Sequence, residues 1–253
     1  MSITASLPRA ALVTGAARRI GRAIALDLAE AGFAVAVHYG NSGDEAAAVV
    51  AEIVARGGRA VALAADLCRE DQVEALVPRA VEALGPLGLL VNNASTFERD
   101  EALTATREGW DRHMEANLRA PFVLTQAFAR QLPEAAEGVV VNLLDQRVWT
   151  STADFTTYSL SKAGLWSLTQ NLALALAPRI RVAGIGPGPA LPSRRQSAPQ
   201  FAAQAAATPL GRPTSPAEIA AAVRFILASP SFTGQMIALD GGQHLGCETA
   251  AEE

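Results

Sequence analysis

Runs such as Val139-Val140-Val141, apolar at every position, recur along this chain, and each is followed by a segment with the polar–apolar period of a helix. A strand with one face in water alternates apolar and polar residues, whereas one that is apolar throughout has to be covered on both faces. Short strands of that second kind, alternating with helices, give a parallel sheet wound on both sides. The strands read as Ala10–Thr14, Phe33–Tyr39, Arg59–Ala64, Gly88–Val91, Gly138–Leu143, Ile180–Ile185 and Gln235–Leu239. The helices read as about Arg19–Ala31 closed by Gly32, Asp44–Ala55 closed by Gly57-Gly58, Glu70–Leu84, a long region at about Thr106–Leu132, Thr157–Leu176 and Pro216–Ala228. No internal repeat and no Pro/Ser-rich linker divides the chain, so one domain is expected over 1–253, with an ordered core at about 9–245. The segment Gly186–Ser215 carries six prolines and reads as a long loop with a short helix near Gln200–Ala207. Loops of that length inside compact domains usually have a function.

Charge and cysteine usage exclude several classes of partner. Twenty-five acidic residues against twenty-one basic ones leave a net charge of −4, with no like-charge run of even four. That is no footprint for nucleic acid or a membrane surface, and neither is expected as a partner. Cys68 and Cys247 lie too far apart to suggest a disulfide framework, and with His38, His113 and His244 they spell no metal site. The start Met1-Ser2-Ile3-Thr4 has no signal-peptide pattern, and no apolar run approaches the ~20 residues of a membrane span. A soluble, cytoplasmic protein is expected. One count points the other way, towards chemistry. The twenty-one basic residues include a single lysine, Lys162, and lysine differs from arginine in being a compact ammonium whose pKa can be tuned.

After the first strand, Thr14-Gly15-Ala16-Ala17-Arg18-Arg19-Ile20-Gly21 opens straight into a helix. Glycine lets a backbone turn tightly against a pyrophosphate whose charge sits at the helix N-terminus. A glycine pair alone also serves plain turn geometry, but its strand–turn–helix setting at the head of the alternation favours a dinucleotide. The expected fold class is thus α/β, a single-domain, Rossmann-like doubly wound parallel sheet with a long substrate loop before the last helix and strand. A site preferring NAD places an acid at the end of the second strand for the ribose 2′-hydroxyl. Here the strand ends His38-Tyr39-Gly40-Asn41-Ser42, with no carboxylate before Asp44. An imidazole, an amide and a hydroxyl suit a 2′-phosphate, with help from Arg18 or Arg19; an ordinary polar strand end is the alternative. Asp66 is placed to accept from an adenine amino group or to cap the helix after it.

Tyr158 and Lys162 stand at i and i+4, on one helix face. A neighbouring cation lowers a phenol's pKa and makes it a better proton donor near neutrality. The chain has only two tyrosines and this one lysine, which makes coincidence a weak explanation.

Taken together, the Thr14–Gly21 turn, Asn92-Asn93-Ala94, Asn117, Tyr158-x₃-Lys162, Gly186-Pro187-Gly188 and Thr233-Gly234-Gln235-x₄-Asp240-Gly241-Gly242 resemble, in this order, the short-chain dehydrogenase/reductase family. The match runs over nearly the whole chain. It implies that Tyr158 donates the proton, that Lys162 tunes it and holds the nicotinamide ribose, and that Asn117 anchors a relay water. Cofactor contacts are then implied at Gly15, Arg18, Arg19, Ile20, Gly21, His38, Tyr39, Asn41, Ser42, Asp66, Leu67, Asn93, Ala94, Tyr158, Lys162, Pro187 and Gly188, and a homotetramer is the family's usual assembly. Three departures narrow the resemblance. Arg19 replaces a turn glycine, Asp145 stands thirteen before the tyrosine where the family has serine, and Ser95-Thr96-Phe97 follows the double asparagine. Each resembles the pteridine reductase branch, as does His38-Tyr39-x-x-Ser42 for NADPH. There Arg19, Ser95, Phe97, Asp145, Tyr158 and Leu191 would meet a pterin, with Phe97 stacked on it.

The chemistry is consistent with that branch. A flat pterin suits an aromatic lid, and a carboxyl beside Tyr158 can pass protons to a ring nitrogen. For Asp145 the alternative is a helix cap or an ion pair with Arg147, and for Phe97 it is packing within a loop. Three functions follow: an NADPH-dependent reductase of a dihydropterin, with Tyr158 and Asp145 as proton donors; a general carbonyl or 3-oxoacyl reductase; and a non-catalytic dinucleotide sensor. Asp145 argues against the second, and Asn117 with Tyr158 and Lys162 against the third. Leu191, Arg194, Arg195 and Phe201 are expected on a substrate lid.

Overall fold

The computed structural model describes residues 6–193 and 195–246. Its centre is one sheet of seven strands in the order β3-β2-β1-β4-β5-β6-β7, every neighbouring pair parallel. The strands are β1 (Ala10–Val13), β2 (Ala34–Tyr39), β3 (Ala60–Ala64), β4 (Leu89–Asn92), β5 (Gly138–Leu143), β6 (Ile180–Pro187) and β7 (Met236–Leu239). The helices are α1 (Arg19–Glu30), α2 (Gly43–Ala55), α3 (Glu70–Leu84), α4 (Arg107–Met114), α5 (Ala120–Gln131), α6 (Thr156–Ala175), α7 (Ala198–Ala206) and α8 (Pro216–Ala228).

The wholly apolar strands are explained by two cores. In β1, Ala11 and Val13 belong to a core with Ile24 and Leu28 of α1, Val49 and Ile53 of α2, and Val223 and Ile226 of α8. Ala10 and Leu12 face the opposite core, with Leu76 of α3, Leu124 and Phe128 of α5, and Leu172 of α6. Because successive strand residues point to opposite faces, both sets must be apolar. Strand order reverses between β1 and β4, and the crevice beyond the carboxyl ends of such strands is where ligands bind in open α/β sheets.

Two expectations need adjustment. β6 runs on to Pro187, so the long loop starts at Gly188, two residues later than its sequence suggests. The long helical region is also not one helix: α4 and α5 are joined by a π turn, Glu115–Arg119, in which the Ala120 N–H reaches back five residues to the Glu115 carbonyl. Pro121, in the first turn of α5, accounts for the break. An α-helical ladder would pair its N–H with the Asn117 carbonyl, and proline has no N–H to give. Among the described residues, no helix is long and apolar enough to cross a membrane.

Candidate active site

The cofactor end is built on the turn after β1. Thr14 Oγ1 accepts the backbone N–H groups of Asn93 and Ala94, each at 2.9 Å. The Asn93 amide donates back to the Thr14 carbonyl at 2.8 Å, so the ends of β1 and β4 are tied together. Gly15 sits at φ +63°, and a Cβ on Gly21 would lie 2.2 Å from the Gly15 carbonyl oxygen. One glycine is thus needed for its conformation and the other for close approach. Arg19, where the wider family has glycine, takes φ +55°, a conformation that costs an L-residue about 1–2 kcal/mol. Its guanidinium donates to the carbonyls of Pro192 (2.8 Å) and Leu191 (3.2 Å), joining this turn to the long loop. α1 has neither a side-chain N-cap nor an acid in its first turn, whereas α2 and α3 both begin with acids. A helix start left in that state, after a glycine turn, fits a bound pyrophosphate.

The end of β2 behaves differently from its expected role. His38 is buried; its Nδ1 accepts the Gly15 N–H at 3.0 Å and its Nε2 pairs with the Ala65 carbonyl at 3.0 Å. Burial lowers its pKa to about 4, so the ring is neutral at physiological pH. Both nitrogens are spent on the fold, and no cationic imidazole is offered to a 2′-phosphate. Asn41 is exposed, Tyr39 half-buried, and Ser42 is buried at the start of α2. Arg18 is exposed and pairs with Glu45 at 3.4 Å. The Asp66 carboxylate accepts the Cys68 N–H at 2.9 Å, a local turn role, beside half-buried Leu67.

At the reacting end, Tyr158 and Lys162 of α6 are both buried. The Tyr158 hydroxyl donates to Asp145 Oδ2 at 2.9 Å. Lys162 Nζ donates to the Leu143 carbonyl at 2.8 Å and lies 5.8 Å from the Tyr158 ring centre. The expectation that lysine lowers the phenol's pKa is not met in this arrangement. Burial first, and then the neighbouring Asp145 carboxylate, raise it well above its ordinary value of 10.0. Burial lowers Lys162 to about 8, against the pull of Asp145. The phenol is therefore held firmly in its protonated form. Asp145 also caps the 3₁₀ turn Gln146–Val148 through the Arg147 N–H (2.9 Å) and pairs with the Arg147 guanidinium (3.2 Å). The plain structural role and the place beside Tyr158 belong to the same carboxylate.

Asn117, in the π turn, has no spare group on its side chain. Its amide donates to the Thr96 carbonyl and Ser161 Oγ, each at 3.0 Å, and accepts from the Thr96 N–H (2.8 Å) and Ser95 Oγ (3.2 Å). An amide has two donors and two acceptor lone pairs, and all are used. A relay water held by the Asn117 side chain does not fit this geometry.

Phe97 stacks on Phe155 with ring centres 4.5 Å apart and planes 6° from parallel, and meets Tyr158 edge-on at 4.7 Å. The Arg147 guanidinium lies 5.6 Å from the Phe97 ring centre and 5.2 Å from that of Phe155. Phe155 had no signal in the sequence beyond its place three residues before Tyr158, and Arg147 was visible only as an ion-pair partner. A cavity of about 610 Å³ opens over these groups, bounded also by Leu191, Arg195 and Phe201 of the long loop. A smaller cleft of about 190 Å³ runs from it past Lys162, Ser95, Asn93, Ile20 and Arg19. Asp145, Tyr158, Pro187, Gly188 and Leu191 line both. Gly188 packs so that a Cβ would fall 2.7 Å from Asp240 Cα. Arg195 closes over the site by donating to the Phe97 carbonyl at 2.8 Å; Arg194 lies outside the described residues.

A family described as enoyl-(acyl carrier protein) reductase, a branch of the short-chain dehydrogenases, matches residues 15–244. The chain belongs to the short-chain dehydrogenase/reductase family. A solved structure of FolM alternative dihydrofolate reductase 1 from Brucella canis, complexed with NADP, shares 47% identity, superposes with a TM-score of 0.93, and is matched over 97% of each chain. Its counterpart from Brucella suis, also with NADP, gives 48% and 0.92 over 96% of this chain and 97% of that one. Among curated short-chain reductases, the 3-oxoacyl-[acyl-carrier-protein] reductase of Synechocystis is 33% identical over 95% of this chain and 98% of its own length.

Proposed function

We propose that this short-chain reductase transfers hydride from NADPH to a dihydropterin-type substrate. The cofactor is NADP(H), as in the Brucella relatives solved with it. The residues present fit that group: Gly15, Gly21, Arg19, Ile20, Asn93 and Ala94 would hold its phosphates at the start of α1, and Lys162, Pro187 and Gly188 its nicotinamide end. Tyr39, Asn41 and Ser42, with Arg18 released from Glu45, are the groups left to meet the 2′-phosphate. The bound nicotinamide supplies the hydride.

The observation that carries the substrate class is the Asp145 carboxylate hydrogen-bonded to Tyr158 beside the Phe97 ring. A ketone oxygen gathering negative charge is repelled by a carboxylate, whereas a pterin presents N–H donors that a carboxylate accepts. Tyr158 supplies the proton that matches the hydride across the reduced carbon–nitrogen bond, and Asp145 orients the phenol and exchanges protons with the ring edge. The Asn117 backbone carbonyl, to which Pro121 has no N–H to donate, would hold the relay water in place of the side-chain amide. Phe97 provides the stacking face, Ser95 and Arg19 the groups between the two ligands, and Leu191 the loop side of the pocket. We further propose a cytoplasmic homotetramer, checked by light scattering.

The second reading, a 3-oxoacyl reductase, is favoured by the Synechocystis likeness. NADPH oxidation across dihydrobiopterin, other dihydropterins, dihydrofolate and a 3-oxoacyl ester separates the two. Asp145→Ser should cut pterin reduction, and Phe97→Ala should weaken pterin binding by about 0.5–1.5 kcal/mol from lost stacking, with NADPH affinity unchanged. Brisk ester turnover with no pterin turnover in the native enzyme would overturn the assignment.

A further inference from the structure

Behind the aromatic face, a set of hydrogen bonds runs through groups that the reaction does not consume. The Glu98 N–H donates to His113 Nε2 at 3.2 Å. That nitrogen is therefore the acceptor, and the proton of the neutral ring sits on Nδ1. Nδ1–H donates to Thr157 Oγ1 at 2.7 Å, and the Thr157 hydroxyl in turn donates to one carboxylate oxygen of Asp100. The other Asp100 oxygen accepts the Thr157 N–H at 3.2 Å, and the Asp100 carbonyl accepts the Phe155 N–H at 2.8 Å. His113 and Thr157 are each 1% exposed. Every hydrogen in the series has one direction, so the set has one arrangement.

The elements it joins are the ones that matter. Glu98 and Asp100 follow Phe97 in the loop after β4, His113 sits on α4, and Thr157 precedes Tyr158 in the first turn of α6. Phe155, held at φ +63° just before that helix, is the ring against which Phe97 stacks. His113 also meets the Tyr158 ring edge-on at 6.0 Å. A second tie, Arg112 to Glu98 at 2.9 Å, is solvent-exposed and contributes little. A buried network with every member satisfied rigidifies what it connects, where apolar residues of the same volume would only fill space.

We propose that His113, Thr157 and Asp100 are positioning residues for substrate, locking the Phe97 loop to the helix of Tyr158 so that stacking face and proton donor keep one mutual placement. None of the three touches the reacting atoms. The proposal rests on the reading that substrate lies on Phe97, and its test is built to stand apart from that reading.

Thr157→Val removes the hydroxyl at nearly constant volume, Thr157→Ser keeps it, and Asp100→Asn weakens its acceptor. Steady-state constants are measured on the best substrate of the panel, with NADPH affinity, thermal midpoint and amide exchange at Glu98 and Phe155. For Thr157→Val, the substrate KM should rise about tenfold, as loss of a buried hydrogen bond implies. Its kcat should fall far less, NADPH affinity should hold, and exchange at Glu98 should quicken. Thr157→Ser should restore all of these, and Asp100→Asn should lie between. An unchanged KM with unchanged exchange overturns the proposal, as does a KM change that Ser fails to rescue. A loss of kcat that only tracks the thermal midpoint overturns it too. If the panel selects the ester over every pterin, the dihydropterin reading fails, while exchange at Glu98 still judges the lock.

Discussion

Tyr158 combines two properties that pull against each other. It is buried with a carboxylate as its hydrogen-bond partner, which keeps its proton on, and the donor role proposed for it requires giving that proton up. Substrate has to take the hydroxyl from Asp145 for transfer to occur. Tyr158→Phe, which removes the proton and little volume, should reduce turnover roughly 10²–10⁴-fold with NADPH binding intact. Lys162→Arg should also be harmful, because a planar, always-charged guanidinium does not reproduce the compact ammonium that donates to the Leu143 carbonyl. Fluorescence titration of NADPH alongside steady-state rates checks both. His38 gives a prediction about stability. Its folded pKa of about 4 lies below the ordinary 6.5, so the unfolded chain takes up the proton first as pH falls. Stability that is complete above pH 6.5 is then lost towards pH 4, by about 3 kcal/mol for this group. Urea unfolding at pH 7 and at pH 4.5 measures the loss, and His38→Gln should flatten it. Tyr158 and Lys162 were legible in the sequence because i,i+4 spacing is a local fact. The role of His38 was not, because its partners Gly15 and Ala65 lie 23 and 27 residues away and only the sheet brings them together.

At the scale of elements, the π turn between α4 and α5 is the feature most directly tied to one residue. Pro121 denies the Asn117 carbonyl its helical partner, and the extra residue in the turn rotates the Asn117 amide onto the 95–96 loop and Ser161. Pro121→Ala lets a regular ladder run through. The fold should survive that change, since α5 keeps its buried Leu124 and Phe128. Turnover should fall, by up to about 10²-fold if the amide is displaced by an ångström. Circular dichroism and kcat on the same preparation test this. Helical periodicity reads α4 and α5 as continuous, because a single added residue barely disturbs it. The proline was the available signal, and at the first turn of a helix proline is ordinarily unremarkable.

For the molecule as a whole, the alternation of strands and helices was readable because both cores demand apolar strands. The glycine turn and the loop before α8 were readable from backbone chemistry. The wall of the proposed substrate pocket was less so: Phe97 and Asp145 stood out only through the resemblance, while Phe155 and Arg147 join them through the conformation of the loop before α6. A different loop, the segment after β6, is held from two sides. Arg19 grips it at Leu191 and Pro192, and its own Arg195 grips Phe97. NADPH with a pterin analogue should therefore slow amide exchange across residues 188–206, and unchanged exchange would remove the case for a lid.

The clasp made by Arg19 has a kinetic consequence. A single continuous sheet has no hinge between domains, so the dinucleotide proposed to sit on the turn after β1 is expected to enter and leave when this strap lets go of that turn. Departure of the oxidised nucleotide, rather than bond-making, is then the step expected to limit the steady state. Rapid mixing of enzyme, NADPH and substrate should show a fast first turnover followed by a slower linear phase. Arg19→Gly should shrink that burst by speeding the second phase, so that the enzyme spends less of each cycle waiting for its spent coenzyme to depart.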